Sequence, residues 1–154
     1  MNFQLRSGSG NCDDFWQMQK QQEEFQKNTV TLLTVFTKHA LRNAATYVEH
    51  AERKVITSHD IKMALMQECF DFGTREGTTE EVEATKEELF GEESDEEEED
   101  VEEPEEPEEA EEYRVSRCTC IVCQKLNTIE PMFSTWDPPN IMLQVLKRQI
   151  QKMP

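Results

Sequence analysis

The sequence predicts an all-α protein, and three observations carry that prediction. Apolar residues recur at helical spacing over residues 29–51, a capped helix start follows at Thr57–Asp60, and a proline-led helix closes the chain from about residue 139. The charge then divides the chain. Residues 1–75 hold nine basic and nine acidic side chains, residues 76–112 hold one and twenty-two, and residues 113–154 hold six and two. The formal net charge of -17 therefore belongs almost wholly to one segment.

Each element has a local reason. Residues 1–12, with RSGSGN and no periodic pattern, are expected to be flexible. From Asp13 to Lys27 the stretch DDFWQMQKQQEEFQK favours helix, with acids at its start and a lysine at its end to complement the helix dipole. Phe15, Trp16, Met18 and Phe25 give it an irregular apolar face. A long helix is expected over Thr29–Ala51, where Leu33, Phe36, Ala40, Ala44, Tyr47 and Ala51 form a stripe widened by Leu32, Val35, Leu41 and Val48. So broad an apolar surface needs neighbours on more than one side. Glu52–Ile56 is a charged, β-branched break. Thr57-Ser58-His59-Asp60 then matches the pairing of a capping hydroxyl with an acid three residues on, predicting a helix over Ser58–Cys69. Its Ile61, Met63, Leu65 and Met66 again occupy more than one face, as ordinary packing would require.

Residues 76–112 contain EESDEEEEDVEEPEEPEEAEE, which offers almost nothing to bury, and are expected to be a disordered acidic linker. Such a run serves either as a solvated spacer or as a competitor for basic surfaces. Ser94, ahead of Asp95 and Glu96, fits an acid-directed kinase pattern. Residues 113–154 are read as a small cysteine-containing module with one helix, about Pro139–Lys152, whose Met142, Val145, Leu146 and Ile150 share a side.

The composition is 36% apolar and 32% charged, a modest core with a large solvated part. No run approaches the roughly eighteen apolar residues of a membrane span, and the first residues lack a secretory core, so an intracellular protein with reduced thiols is expected. Five cysteines, three of them clustered, do not form a disulfide framework. Cys118, Cys120 and Cys123 have near-zinc spacing, because thiolates two or three residues apart reach one tetrahedral ion. The fourth ligand is left open among Asp137, Cys69, Cys12 and a second chain; otherwise this is a cysteine-rich surface loop. No other cofactor is implied. No phosphate-binding glycine loop is present and no nucleophile has a recognisable base beside it, so the chain is not expected to be an enzyme.

At the break, Arg53 and Lys54 precede a helix start with free amides, a combination suited to seating phosphate. The surrounding stretch LLTVFTKHALRNAATYVEHAERKVITSHDIKMAL, residues 32–65, resembles the histone fold and within it core histone four. The matching letters are Val35-Phe36, Arg42, Thr46-Tyr47, Glu49-His50-Ala51, Arg53-Lys54, Thr57, Asp60 and Ala64-Leu65. The resemblance implies a histone fold of short–long–short helices over residues 13–75, dimerising head to tail with a histone-three-like or other histone-fold protein. It implies that Arg53, Lys54 and Thr57 hold phosphates of double-stranded DNA, with Lys20 near the first DNA-facing loop. Leu33, Phe36, Leu41, Tyr47, His50, Ile61 and Leu65 would form the dimer and four-helix interfaces, the latter joining other histone pairs; packing of His50 within a core is the alternative.

Departures accompany the likeness. The lysine-rich tail is missing, Glu52 stands where the family has a cation, Met66 and Gln67 replace a basic pair, and FDFGTREG does not keep the family's last strand. Fewer cations release fewer counterions, so weaker DNA binding is expected. The implied function is that of a divergent core histone, viral or otherwise specialised, that binds or packages DNA in a nucleosome-like particle. The alternative is a histone chaperone or chromatin regulator whose acidic segment shields histones from DNA. A zinc-dependent adaptor role for residues 113–154 is compatible with both. No membrane partner is implied, and the location would be nucleus and chromatin, or virion and viral factory for a viral chain.

Overall fold

A computed structural model describes residues 12–91 and 111–154. The expected flexible N-terminus and the centre of the acidic segment, including Ser94, lie outside the described residues. Five helices are present: α1 (Cys12–His50), α2 (Ser58–Asp71), α3 (Thr78–Phe90), α4 (Ile121–Thr135) and α5 (Ile141–Gln151), and no strand occurs among the described residues. None of these helices is long and apolar enough to cross a membrane.

The helices expected over Asp13–Lys27 and Thr29–Ala51 are one rod of 39 residues. Only Asn28 separates them, with neither glycine nor proline to break the ladder. The hydroxyls of Thr29, Thr31 and Thr34 bond back to the carbonyls of Phe25, Lys27 and Val30, so these threonines do not compete with the helix. The short first helix and first loop implied by the histone likeness are therefore not separate features here. At the other end, α1 stops in a turn made by Glu52. Its φ of 56° is left-handed, its N–H bonds to Glu49 O, and the Arg53 N–H reaches Val48 O, the paired bonds of a Schellman cap.

The capped start at Thr57 forms as the sequence predicts. The Asp60 N–H donates to Thr57 Oγ1, and Asp60 Oδ2 accepts from the Thr57 N–H at 2.8 Å. The helix it begins runs two residues further than expected, through Asp71.

The acidic segment does not begin as a disordered linker. Residues 78–90 form α3, which packs along α1. Gly77, at φ 79°, makes the left-handed turn into it, and Glu80 and Glu81 face the positive end of the helix dipole. Glu81 pairs with His39 at 2.7 Å and Lys38 at 3.6 Å, and Lys86 pairs with Glu24. Val82 packs against the core, and Lys27 lies over the Phe90 ring.

Residues 113–154 carry two helices rather than one. Cys123, Leu126, Ile129 and Phe133 line the buried face of α4, and Pro131 only removes the donor that would reach the Asn127 carbonyl. The last helix starts two residues later than expected because the Asn140 side chain caps the Leu143 N–H at 2.9 Å. Both helices lie on α2, and α4 also touches α1. Their apolar residues join Val35, Phe36, Tyr47, Met63, Met66, Cys69 and Phe72 in one buried cluster. The aromatic rings of Phe70, Phe133 and Trp136 close one side of it.

Candidate metal centre

The Schellman turn leaves His50 in the last turn of α1 with its ring at the protein surface. Against it run residues 111–120, an irregular strap anchored at Tyr113 and Ser116. The Tyr113 hydroxyl meets that of Tyr47 at 3.1 Å, and its ring packs on His59. Ser116 is buried, donating its N–H to Tyr47 Oη at 3.3 Å and accepting from Asn127 Nδ2 through its carbonyl at 3.1 Å. The strap then delivers Cys118 and Cys120 to the start of α4, whose first turn contributes Cys123.

The imidazole Nδ1 of His50 lies 3.1 Å from Cys120 Sγ and 3.5 Å from the sulfurs of Cys118 and Cys123. All four donor atoms fall within 4.8 Å of one another. Tetrahedral zinc, with bonds of about 2.3 Å to sulfur and 2.0–2.1 Å to nitrogen, separates sulfur from nitrogen by about 3.5 Å. The cluster can therefore hold a metal ion with little rearrangement. The second layer is also in place. Ser116 Oγ donates to Cys123 Sγ at 3.4 Å and accepts from the Cys118 N–H at 3.2 Å, fixing two of the ligands.

The thiols differ in acidity. Cys120 stands at the N-terminus of α4, where the Cys123 backbone N–H is the main influence that brings its thiol down to about 6. Burial pushes Cys123 up to about 11. Cys120 is thus favoured as a thiolate, while burial opposes ionisation of Cys123.

The sequence missed His50 as a candidate fourth ligand. It lies 68 residues before Cys118, so no local spacing signals it. Of the four sources considered from sequence, Cys69 is buried in the core with its thiol pushed up to about 12 by burial and by Glu68. Cys12 begins α1 while His50 ends it, about 57 Å away at 1.5 Å per residue. Asp137 lies beyond the far end of α4, about 20 Å of helix from Cys123. With His50 in place, no second chain is needed to complete four ligands.

The residues assigned to DNA contact are dispersed. The Arg53 side chain is fully buried, forking onto Asp60 at 2.8 and 2.6 Å between the rings of Tyr47 and Tyr113. It is a structural cation here, with its charge consumed inside, and its Nε has no partner among the described residues. Thr57 caps α2. Lys54 is exposed in the turn, and Lys20 is exposed on the N-terminal half of α1 rather than in a loop.

The predicted interface divides as well. Leu33 and Leu41 are exposed on one face of α1, beside Val30, whereas Phe36 and Tyr47 are buried within the chain. Ile61 and Leu65 are half-buried, and His50 faces the cysteines instead of an open contact surface. Tyr47 is further engaged by the strap and by Asn127 Oδ1 at 2.8 Å. Neither Tyr113 nor Ser116 stood out in the sequence, because their roles exist only once the strap crosses α1.

No family model matches this sequence, and no solved structure matches this fold.

Proposed function

We propose that the protein is a zinc-stapled, histone-like pairing protein, one half of a histone-fold dimer that contacts DNA phosphates without reading sequence. The observation that carries the proposal is the uncovered apolar face of α1. Val30, Leu33 and Leu41 are 49%, 43% and 45% exposed on the same half of α1 that buries Val35, Phe36, Ala40, Ala44 and Tyr47. Three large aliphatic side chains left open beside a packed core suit a second helical chain. The residues likened to core histone four supply the identity of that partner: a histone-three-like or other histone-fold protein. The exposed Lys54 is the turn's candidate for double-stranded DNA, and chromatin, nuclear or viral, is the setting.

Zinc is the ion best suited to the cluster, since three thiolates and one imidazole satisfy its preference for a closed tetrahedral site. Such a closed site leaves no open position for chemistry, so its role is structural. His50 and the three cysteines hold the strap and α4 to the end of α1.

A second reading is favoured by one contact. Glu111, at the end of the acidic segment, bonds to the turn beside Lys54 and opposes DNA there. This supports a chaperone or regulator that captures a histone partner and shields it.

The test is co-expression with a histone-three-type partner, followed by nuclease protection of DNA. The structural-subunit reading expects a stable dimer that protects DNA, with protection reduced by Lys54→Glu. The shielding reading expects a dimer that protects DNA only once Glu111→Ala removes the carboxylate held at the turn. Failure to pair with any histone-fold chain would overturn both.

A further inference from the structure

We propose that the successive backbone amides of Lys54 and Val55 form a seat for a phosphate group, and that Glu111 is the plug built into the chain to occupy it. This deepens the DNA-contact reading by naming both the seat and what closes it.

The turn creates the seat. Once Glu52 has taken its left-handed conformation, Arg53 folds inward onto Asp60. The next two N–H groups are then left outside the helix ladders. Their shared acceptor is a single oxygen: Oε2 of Glu111 lies 2.9 Å from the Lys54 nitrogen and 3.3 Å from that of Val55. Two consecutive amides converging on one anionic oxygen are the backbone's way of holding an oxyanion, and a phosphate oxygen satisfies the same donors.

The surroundings suit phosphate better than they suit a carboxylate alone. The exposed Lys54 ammonium belongs to the same turn, and Arg114 lies close enough to Glu111 to act with the two amides in holding its carboxyl below the usual range. Beside the turn, Arg114 and Arg117 line an open cleft of 1060 Å³ that also borders Ala51 and Glu52. A phosphate replacing Glu111 would meet the cations of Lys54 and Arg114.

Glu111 is also held near the seat. Two residues on, Tyr113 is fixed against Tyr47 and Met63, so the carboxylate competes as an intramolecular ligand. An external phosphate must displace it. The seat therefore stays closed to weak or isolated anions and opens to ligands that bring several phosphates at once.

The experiment uses the full, zinc-loaded, 15N-labelled chain, with inorganic phosphate and then a short DNA duplex as probes. Glu111→Ala is compared with the unaltered protein and with Glu112→Ala, which removes the exposed neighbouring charge. In Glu111→Ala, the Lys54 and Val55 amide resonances should move on adding phosphate, with an apparent Kd at least about tenfold lower than in the unaltered protein. Glu112→Ala should titrate like the unaltered protein. Unresponsive Lys54 and Val55 amides in Glu111→Ala, or equal Kd values with and without Glu111, would overturn the proposal. Phosphate binding at these amides without duplex binding would uphold the seat while removing the DNA reading.

Discussion

At the scale of single residues, the turn between α1 and α2 concentrates more chemistry than any other stretch. Arg53 and Asp60 are both fully buried and joined by two hydrogen bonds, and Asp60 at the same time closes the capping box. Removing one partner strands the other charge. Arg53→Ala should therefore cost about 3–5 kcal/mol in urea unfolding, whereas Lys54→Ala should stay within about 0.5 kcal/mol. A loss for Arg53→Ala no larger than for Lys54→Ala would mean that the pair is not buried. Burial opposes the Asp60 charge, but Arg53 and Thr57 outweigh it and hold the carboxyl below its usual range. A depressed carboxylate stabilises the fold above its unfolded pKa of about 3.9, and that contribution disappears as pH falls through the lower folded value. Stability should thus fall steeply below about pH 4, and Asp60→Asn should flatten that limb of the pH profile. Glu52 carries the opposite sign of effect. Its left-handed φ is one that glycine adopts freely, so Glu52→Gly should raise stability by about 1 kcal/mol, read as a higher midpoint at unchanged slope. The capping role of Thr57 and Asp60 was legible in the sequence because it is local. The inward turn of Arg53 was not, since a basic pair in a turn looks the same whether it faces water or a carboxylate.

Among the elements, legibility followed periodicity. The stripe from Leu33 to Ala51 and the cap at Thr57 marked the second half of α1 and the start of α2. Residues 13–27 and 29–51 were read as separate helices because Phe15, Trp16, Met18 and Phe25 give the first only an irregular apolar face. The two faces are nevertheless carried on one rod. In α3, low apolar content hid a helix that sets Val82 against the core and pairs Glu81 and Lys86 with α1, contacts that composition cannot reveal. Glu81→Lys places a cation against Lys38 and His39. Hydrogen exchange in α3 should accelerate in that variant while exchange in α2 stays unchanged; uniform protection would show that these pairs do not dock α3. In α4, the cysteine spacing was read only as a zinc site or a surface loop, yet Cys123, Leu126, Ile129 and Phe133 repeat at helical intervals and pack inward.

For the whole molecule, the division of charge was visible from the sequence, and the joining of its two ends was not. The C-terminal helices share one core with α1 and α2, and the proposed zinc ties the strap to the end of α1. A module of about forty residues is marginal by itself, so the shared core supports it, and the proposed zinc would add to that support. Cobalt binding to the reduced full chain tests this account most directly. One tightly bound ion per chain, with the visible bands of tetrahedral thiolate-ligated cobalt displaced by zinc and altered or lost in His50→Ala, is the predicted result. A chain that binds no metal, or whose affinity and spectrum are the same without His50, would contradict it.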